Sequence, residues 1–458
     1  MSKMRIEYDS MGKVEVPEDV YYQAQTQRAL DNFQLSQRRF PAPALLALLD
    51  IKSAAAQANC QLGLLDKPIA IAIQQAITAS KQLDFAKHFP LDLFQTGSGT
   101  SSNMNVNEVI ASLASDILQD KVHPNDHVNM GQSSNDVVPA SIHISTVRHL
   151  KALLYPAMTD LSDRLTYLAK KHSDTVKTGR THLMDAMPIT LGQELLCWQQ
   201  QMNAAQAKLQ QAELGLHQLP LGGTAVGTGV NCDPRFAKLT CDYLQQQDKL
   251  PWQAAQLPAL YMSSQDHTLA MASALKGLAI SLMKIANDLR WMNSGPIAGL
   301  QEIRLTALQP GSSIMPGKVN PVIPEAVAMI AAEVIGNEAT VTIAAQSGNF
   351  QLNVMLPLIA DKLLSSIDLL TNACQAMTTK VFAEFTPNMD NLTQALAKNP
   401  ILATALNSVV GYDMAAKIAK RADKEHKSVL EIALEETELT ESELQAILDP
   451  LHLAKPHQ

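Results

Sequence analysis

Aromatic residues are scarce in this 458-residue chain, only 4% of the total, while alanine, leucine and glutamine are abundant. That balance favours helix over sheet. Basic clusters are missing too, and the net charge is −8. Nucleic acid and anionic membrane surfaces are therefore not expected partners, and any positive charge that meets an acidic substrate must be local. The five cysteines, Cys60, Cys197, Cys232, Cys241 and Cys374, show no CxxC spacing and no histidine cluster beside them. Ordinary thiols in a reducing cytoplasm are expected, with no metal and no cofactor. The first residues carry no apolar core of signal-peptide length, and no hydrophobic run reads as long enough to span a bilayer. The expected location is cytoplasmic, away from membranes.

What the chain does have is length and helical periodicity. It is too long for one compact core, so more than one domain is expected. The first 40 residues read as an extended, turn-rich arm, followed by helical patterns at about 43–64, 67–83 and 104–119. Longer patterns occupy about 137–171, with Pro156 as a kink, and 188–219, 265–293, 322–347 and 350–382. In the second of these, Leu191, Leu195, Trp198, Met202, Ala205, Leu209, Ala212, Leu216 and Leu219 alternate steps of four and three, a heptad seam. Rods of this length bury their stripes only by packing lengthwise. The expected fold is all-α: a mostly helical N-terminal domain (1–132), a central five-helix bundle (133–386) and a small helical C-terminal domain (387–458). Leu196, Ala204, Ala207, Met271 and Ala274 lie off the main seams and suit faces that meet other subunits.

The stretch GSSIMPGKVNPVIPE, Gly311 to Glu325, holds more chemistry than a connector needs. Glycines and prolines make it mobile yet directed. Ser312 and Ser313 offer hydroxyls, Lys318 a positive charge, Asn320 a donor for an oxyanion, and Glu325 a carboxylate that takes a proton or orients a histidine. Such a set suits a dianionic substrate. Three further loops carry polar groups. Ser98, Gly99 and Thr100 precede a helix, where free N–H groups attract anions, although a Gly/Ser run also makes a plain turn. Ser133, Ser134 and Asn135 precede the long kinked helix and serve as caps, as carboxylate contacts, or both. Thr181 and His182 stand ahead of the heptad helix, where a lone histidine is as readily structural as catalytic. The glycine-rich segment Gly222 to Asn231 has no strand before it and does not fit a dinucleotide fingerprint.

GSSIMPGKVNP resembles the signature of the fumarase/aspartase superfamily, and the similarity runs from DSMGKVEVP and AQTQRA near the start to NSVVGYDMAAKIAK near the end. Within it the chain resembles the class II fumarases. QTGSGT at 95–100, the histidine of GRTH and PGK at 316–318 separate it from the aspartases, the alternative within the superfamily. Intact Ser312, Lys318, Asn320, Glu325 and His182 speak against a silent helical scaffold.

The resemblance implies a homotetramer and reversible anti hydration of fumarate to L-malate in the tricarboxylic acid cycle. It makes Ser312 the base at C3 and His182, paired with Glu325, the group that delivers the proton to the departing water. Lys318 and Asn320 hold the carboxylate that takes up charge, in a cradle formed by Ser98, Gly99, Thr100, Ser133, Ser134, Asn135, Thr181, Ser313 and Val319. Because His182, Ser134 and Ser312 lie on widely separated loops of long rods, each site is expected to draw on several subunits. A second anion site at His123, Pro124, Asn125 and Asp126 is expected to be weak. Gln119 and Asp120 stand where relatives carry an arginine, and Met130 and Gly131 replace a more polar pair.

Overall fold

The computed structural model describes residues 3–455. Its described residues form an all-α structure with five small two-stranded sheets. The amino-terminal arm is more ordered than its sequence implied. MRIEYD and GKVEVP pair antiparallel as strands Met4–Asp9 and Gly12–Pro17, because their side chains alternate with period two and Asp9 Oδ1 accepts the Met11 N–H at 2.8 Å across the turn. A helix, Ala24–Asn32, follows. The buried Glu108 carboxylate fixes its start by accepting N–H groups from Gln23, Gln25 and Thr26 at 2.8–3.1 Å.

Five long helical stretches follow the expected order. The seam residues Leu191, Leu195, Trp198, Met202, Leu209 and Leu216 are at most 1% exposed in helix Leu191–Leu216. The others are Ser134–His149 continued by Tyr155–Lys171, then Asp266–Met292, Val322–Ala345 and Leu356–Ala376. Two expectations need correction. The interruption before Pro156 is a wide π-turn, Leu150–Leu154, which accommodates the missing proline N–H. The last rod starts at Leu356 because residues 348–353 form a tight hairpin.

The sequence also understated two apolar stretches. Asp266–Met292 and Val322–Ala345 are long and apolar enough to cross a membrane by length and composition, with mean hydropathy of 1.5 and 1.4 in their best windows.

The chain divides into two compact units, each discontinuous in sequence. One comprises the chain up to Tyr155 with Ala207–Gly277 and Ala332–Leu370; the other comprises Pro156–Gln206, Leu278–Ala331 and the chain from Thr371. In the first, helices Ala42–Gln61, Lys67–Ser80 and Thr100–Leu118 pack together. In the second, a hairpin of Val176–Thr181 and Met184–Thr190 stands beside short carboxy-terminal helices. Leu402, Leu406, Ile418, Ile432 and Leu444 make their core.

Candidate active site

The first unit holds two of the polar loops. Gly99 adopts φ +73° at the start of helix Thr100–Leu118, and a Cβ there would come within 2.8 Å of Val138. At Gly97 a Cβ would lie 1.8 Å from the Val354 carbonyl oxygen, so this turn accepts only glycine. The turn is tied from within. Ser101 N–H donates to Thr96 Oγ1 at 3.0 Å, Ser102 N–H donates to Gln95 Oε1 at 2.9 Å, and the Ser98 and Thr100 hydroxyls lie 2.7 Å apart.

Ser133 caps helix Ser134–His149 through a capping box with Asp136, as a serine at that position allows. Ser134 is buried, and its Oγ accepts Asn103 Nδ2–H at 2.9 Å. Asn135 Nδ2–H donates to the Ala225 carbonyl at 2.8 Å, and Thr224 N–H donates to Asp136 Oδ2 at 2.9 Å. The glycine-rich segment from Gly222 thus braces this loop. Asn231 lies at its far end with φ +59°.

His123, Pro124, Asn125 and Asp126 open a π-turn, Pro124–Val128. His123 Nδ1 caps it, accepting the Asp126 N–H at 3.1 Å and the Asn125 N–H at 3.3 Å.

The second unit carries the other groups. Thr181 pairs with Met184 at the tip of the hairpin, so His182 and Leu183 form a two-residue turn with φ +55° and +62°. Asparagine and glycine are the usual occupants of such turns; histidine and leucine are strained there. The turn carries His182 out from the strands, where it lines a cavity of ≈ 500 Å³ together with Arg180, Glu194 and Trp291. Below the tip, Lys177 Nζ lies 2.7 Å from both Glu194 Oε2 and Glu302 Oε2, and Arg180 donates to Glu302 Oε1 at 2.6 Å. Lys177 and Glu302 are only 2% and 4% exposed, so this ion cluster stakes the hairpin to the unit's interior. Sequence reasoning did not anticipate it.

Ser312 starts a turn in which its Oγ accepts two backbone N–H groups, from Met315 at 3.0 Å and Ile314 at 3.2 Å. Gly311 N–H donates to the Lys318 carbonyl at 2.7 Å, and Asn320 Nδ2–H donates to the Gly311 carbonyl at 2.8 Å, closing the loop on itself. A Cβ on Gly311 would lie 2.6 Å from the Lys318 carbonyl oxygen. Ser313, Lys318 and Val319 are exposed and Asn320 half-buried. Glu325 lies in the first turn of helix Val322–Ala345. Lys318, Val319, Asn320 and Glu325 line a cavity of ≈ 610 Å³ with Asn287, Arg290 and Trp291. Within one chain, then, Glu325 and His182 line different cavities, with Trp291 a wall of both.

Residues 12–336 match the family model described as lyase, and residues 402–455 match that of the fumarase C C-terminus. The class II fumarate hydratase 2 of Pseudomonas aeruginosa is 53% identical over 450 residues, covering 98% of this chain and 98% of its own. This chain belongs to the class II fumarases. A class II fumarate hydratase of Thermus thermophilus is 48% identical, with 99% of each chain covered. A crystal structure of the class II fumarase of Schistosoma mansoni matches the fold with a TM-score of 0.96 at 35% identity over 100% of both chains. Membership fits the loops just described, which concentrate hydroxyls, amides and one lysine around glycine-bounded turns.

Proposed function

We propose that this fumarase interconverts fumarate and L-malate by anti addition and removal of water, with Ser312 as the base at carbon and His182 and Glu325 handling the water. In the dehydration direction Ser312 Oγ takes the C3 proton. The electron pair moves into the adjacent carboxylate, giving an aci-carboxylate held by Lys318 and Asn320. His182, oriented by Glu325, protonates the C2 hydroxyl, which leaves as water. Ser98, Gly99, Thr100, Ser133, Ser134, Asn135, Thr181, Ser313 and Val319 complete the carboxylate cradle. One observation carries this reading: two backbone N–H groups aim at Ser312 Oγ. A serine hydroxyl needs such dipoles to exist as an alkoxide at all.

Active sites shared within a homotetramer follow from the same reading. Helix Val322–Ala345 supports it, since only 28% of its apolar window is buried in one chain, leaving Met329 69% and Ile343 58% exposed. The central domain, 133–386, is the part we assign to assembly, in a cytoplasmic enzyme of the tricarboxylic acid cycle. The second anion site is weak on this reading, because the inward cap made by His123 already occupies its Nδ1.

The test follows the ultraviolet absorbance of the fumarate double bond with L-malate and, separately, with L-aspartate. Absorbance rises with malate in the wild type, and Ser312→Ala lowers kcat by about 10²- to 10⁴-fold, the scale of a general base. A rise with aspartate alone overturns the substrate, and normal turnover in Ser312→Ala overturns the base.

A further inference from the structure

Lys52 sits in the middle of helix Ala42–Gln61 among Leu48, Leu49, Ile51, Ala55 and Ala56, and is 0% exposed. An ammonium in such surroundings costs several kcal/mol unless it is paired, so its presence calls for a reason. Its Nζ donates to Asn129 Oδ1 at 2.8 Å. The same oxygen accepts Asn107 Nδ2–H at 3.2 Å and Asn103 Nδ2–H at 3.4 Å, while Asn129 Nδ2–H donates to the Gln132 carbonyl at 3.2 Å. Asn103 reaches onward to Ser134 Oγ.

These amides join two loops that the sequence keeps more than thirty residues apart. Asn103 and Asn107 belong to the helix that begins at Thr100, and Asn129 and Gln132 lead into Ser133–Asn135. The carboxylate that acts on Lys52 is that of Asp136, 0% exposed, whose oxygens accept N–H groups from Ser133 and Thr224 at 2.9 Å. Burial pushes the Lys52 ammonium down to about 7 and the Asp136 carboxyl up to about 7, with the attraction between them opposing both shifts.

Bond direction carries the chemistry. Ser134 Oγ accepts from Asn103, so its own proton is left to point elsewhere, as a donor to a carboxylate oxygen requires. Asn103 can present N–H to Ser134 only while its amide keeps that orientation, and the Asn129 oxygen, itself held by the lysine, helps to set it.

We propose that Lys52 is a positioning residue for substrate binding: through Asn129 and Asn103 it fixes the Ser134 hydroxyl as an outward donor and locks the Thr100 loop in register with it. The inference rests on reading Ser134 and Thr100 as substrate contacts.

The experiment measures kcat and KM for fumarate in full-length wild type, Lys52→Met, Asn103→Asp and Ser134→Ala, with thermal midpoints alongside. Methionine fills the lysine's space but leaves the buried Asp136 carboxyl without its opposing charge, so the midpoint of Lys52→Met is expected to fall, and KM is read on the enzyme that folds. Its KM is expected to rise about tenfold or more while kcat changes less than about threefold, the signature of lost binding rather than lost chemistry. Asn103→Asp replaces the donor to Ser134 with an acceptor and is expected to raise KM likewise, giving a second reading should Lys52→Met fail to fold. A purely structural support would reduce the active fraction, and with it Vmax per chain, but leave the KM of the surviving enzyme alone. Unchanged KM in both variants beside a raised KM in Ser134→Ala overturns the inference. Unchanged KM in Ser134→Ala overturns the site reading beneath it, and the inference with it.

Discussion

Ser312 and its neighbour Ser313 show how a turn separates two chemically identical side chains. One hydroxyl oxygen collects two N–H dipoles while the other faces solvent, so backbone geometry rather than residue type sets the proposed base apart from its neighbour. His143 shows the reverse case, a titratable group that the proposed chemistry does not use. It is 2% exposed, its Nδ1 lies 3.0 Å from the Gln218 carbonyl, and burial depresses its pKa to about 4. Above about pH 6.5 the imidazole is neutral in folded and unfolded chains alike. Below that the unfolded chain takes up a proton that the folded chain refuses until pH approaches 4, so stability drains away as pH falls through this window. The loss amounts to about 3 kcal/mol at its lower end. His143→Gln is expected to flatten the dependence of the urea midpoint between pH 6.5 and 4; the same slope in both proteins would exclude His143 as its source. The candidate residues between Gly311 and Glu325 could be proposed from the sequence because fifteen consecutive positions hold them. Lys52 could not, because its acceptor lies 77 positions away and no local pattern marks a lysine whose partner is an amide.

At the scale of elements, the hairpin bearing His182 is the part the sequence concealed. VKTGRT and MDAMPIT do not alternate cleanly, and the register slips at a bulge between Thr178 and Arg180, where a Cβ on Gly179 would lie 2.6 Å from the Met187 carbonyl oxygen. The long rods, by contrast, announced themselves, since the seam from Leu191 to Leu216 keeps its period over 26 residues. Misjudged helix ends trace to π-turns and short hairpins, which carry no periodic signal. The hairpin depends on Glu302, which pairs with both Lys177 and Arg180. Glu302→Gln removes the charge and leaves a buried ammonium with one carboxylate instead of two, so unfolding free energy is expected to fall by about 2–4 kcal/mol. Replacing Lys177 and Glu302 together by methionine and leucine is expected to recover much of that loss. A double variant no more stable than the single one in urea titration would show that the ions are not the source.

For the whole molecule the open element is the apolar helix Val322–Ala345, most of whose window one chain leaves uncovered. If neighbouring chains cover it and lend one another their loops, two defective chains should repair each other. Co-refolded His182→Asn and Ser312→Ala chains, assembling at random, give about a quarter of the sites both intact groups, and activity is expected to return towards that level. Verified mixed tetramers without recovery would mean that each site draws these two groups from one chain.

His182 and Lys318 stand on outward-facing tips of hairpin and loop, open to bulk water in a lone polypeptide. Such groups gain their electrostatic strength only where water is expelled, so on the tetrameric reading quaternary contact creates the dry chamber as well as the stability. On that reading catalytic competence is a collective property: a dissociated subunit loses its dry chamber and idles, and protein concentration itself becomes a throttle on flux.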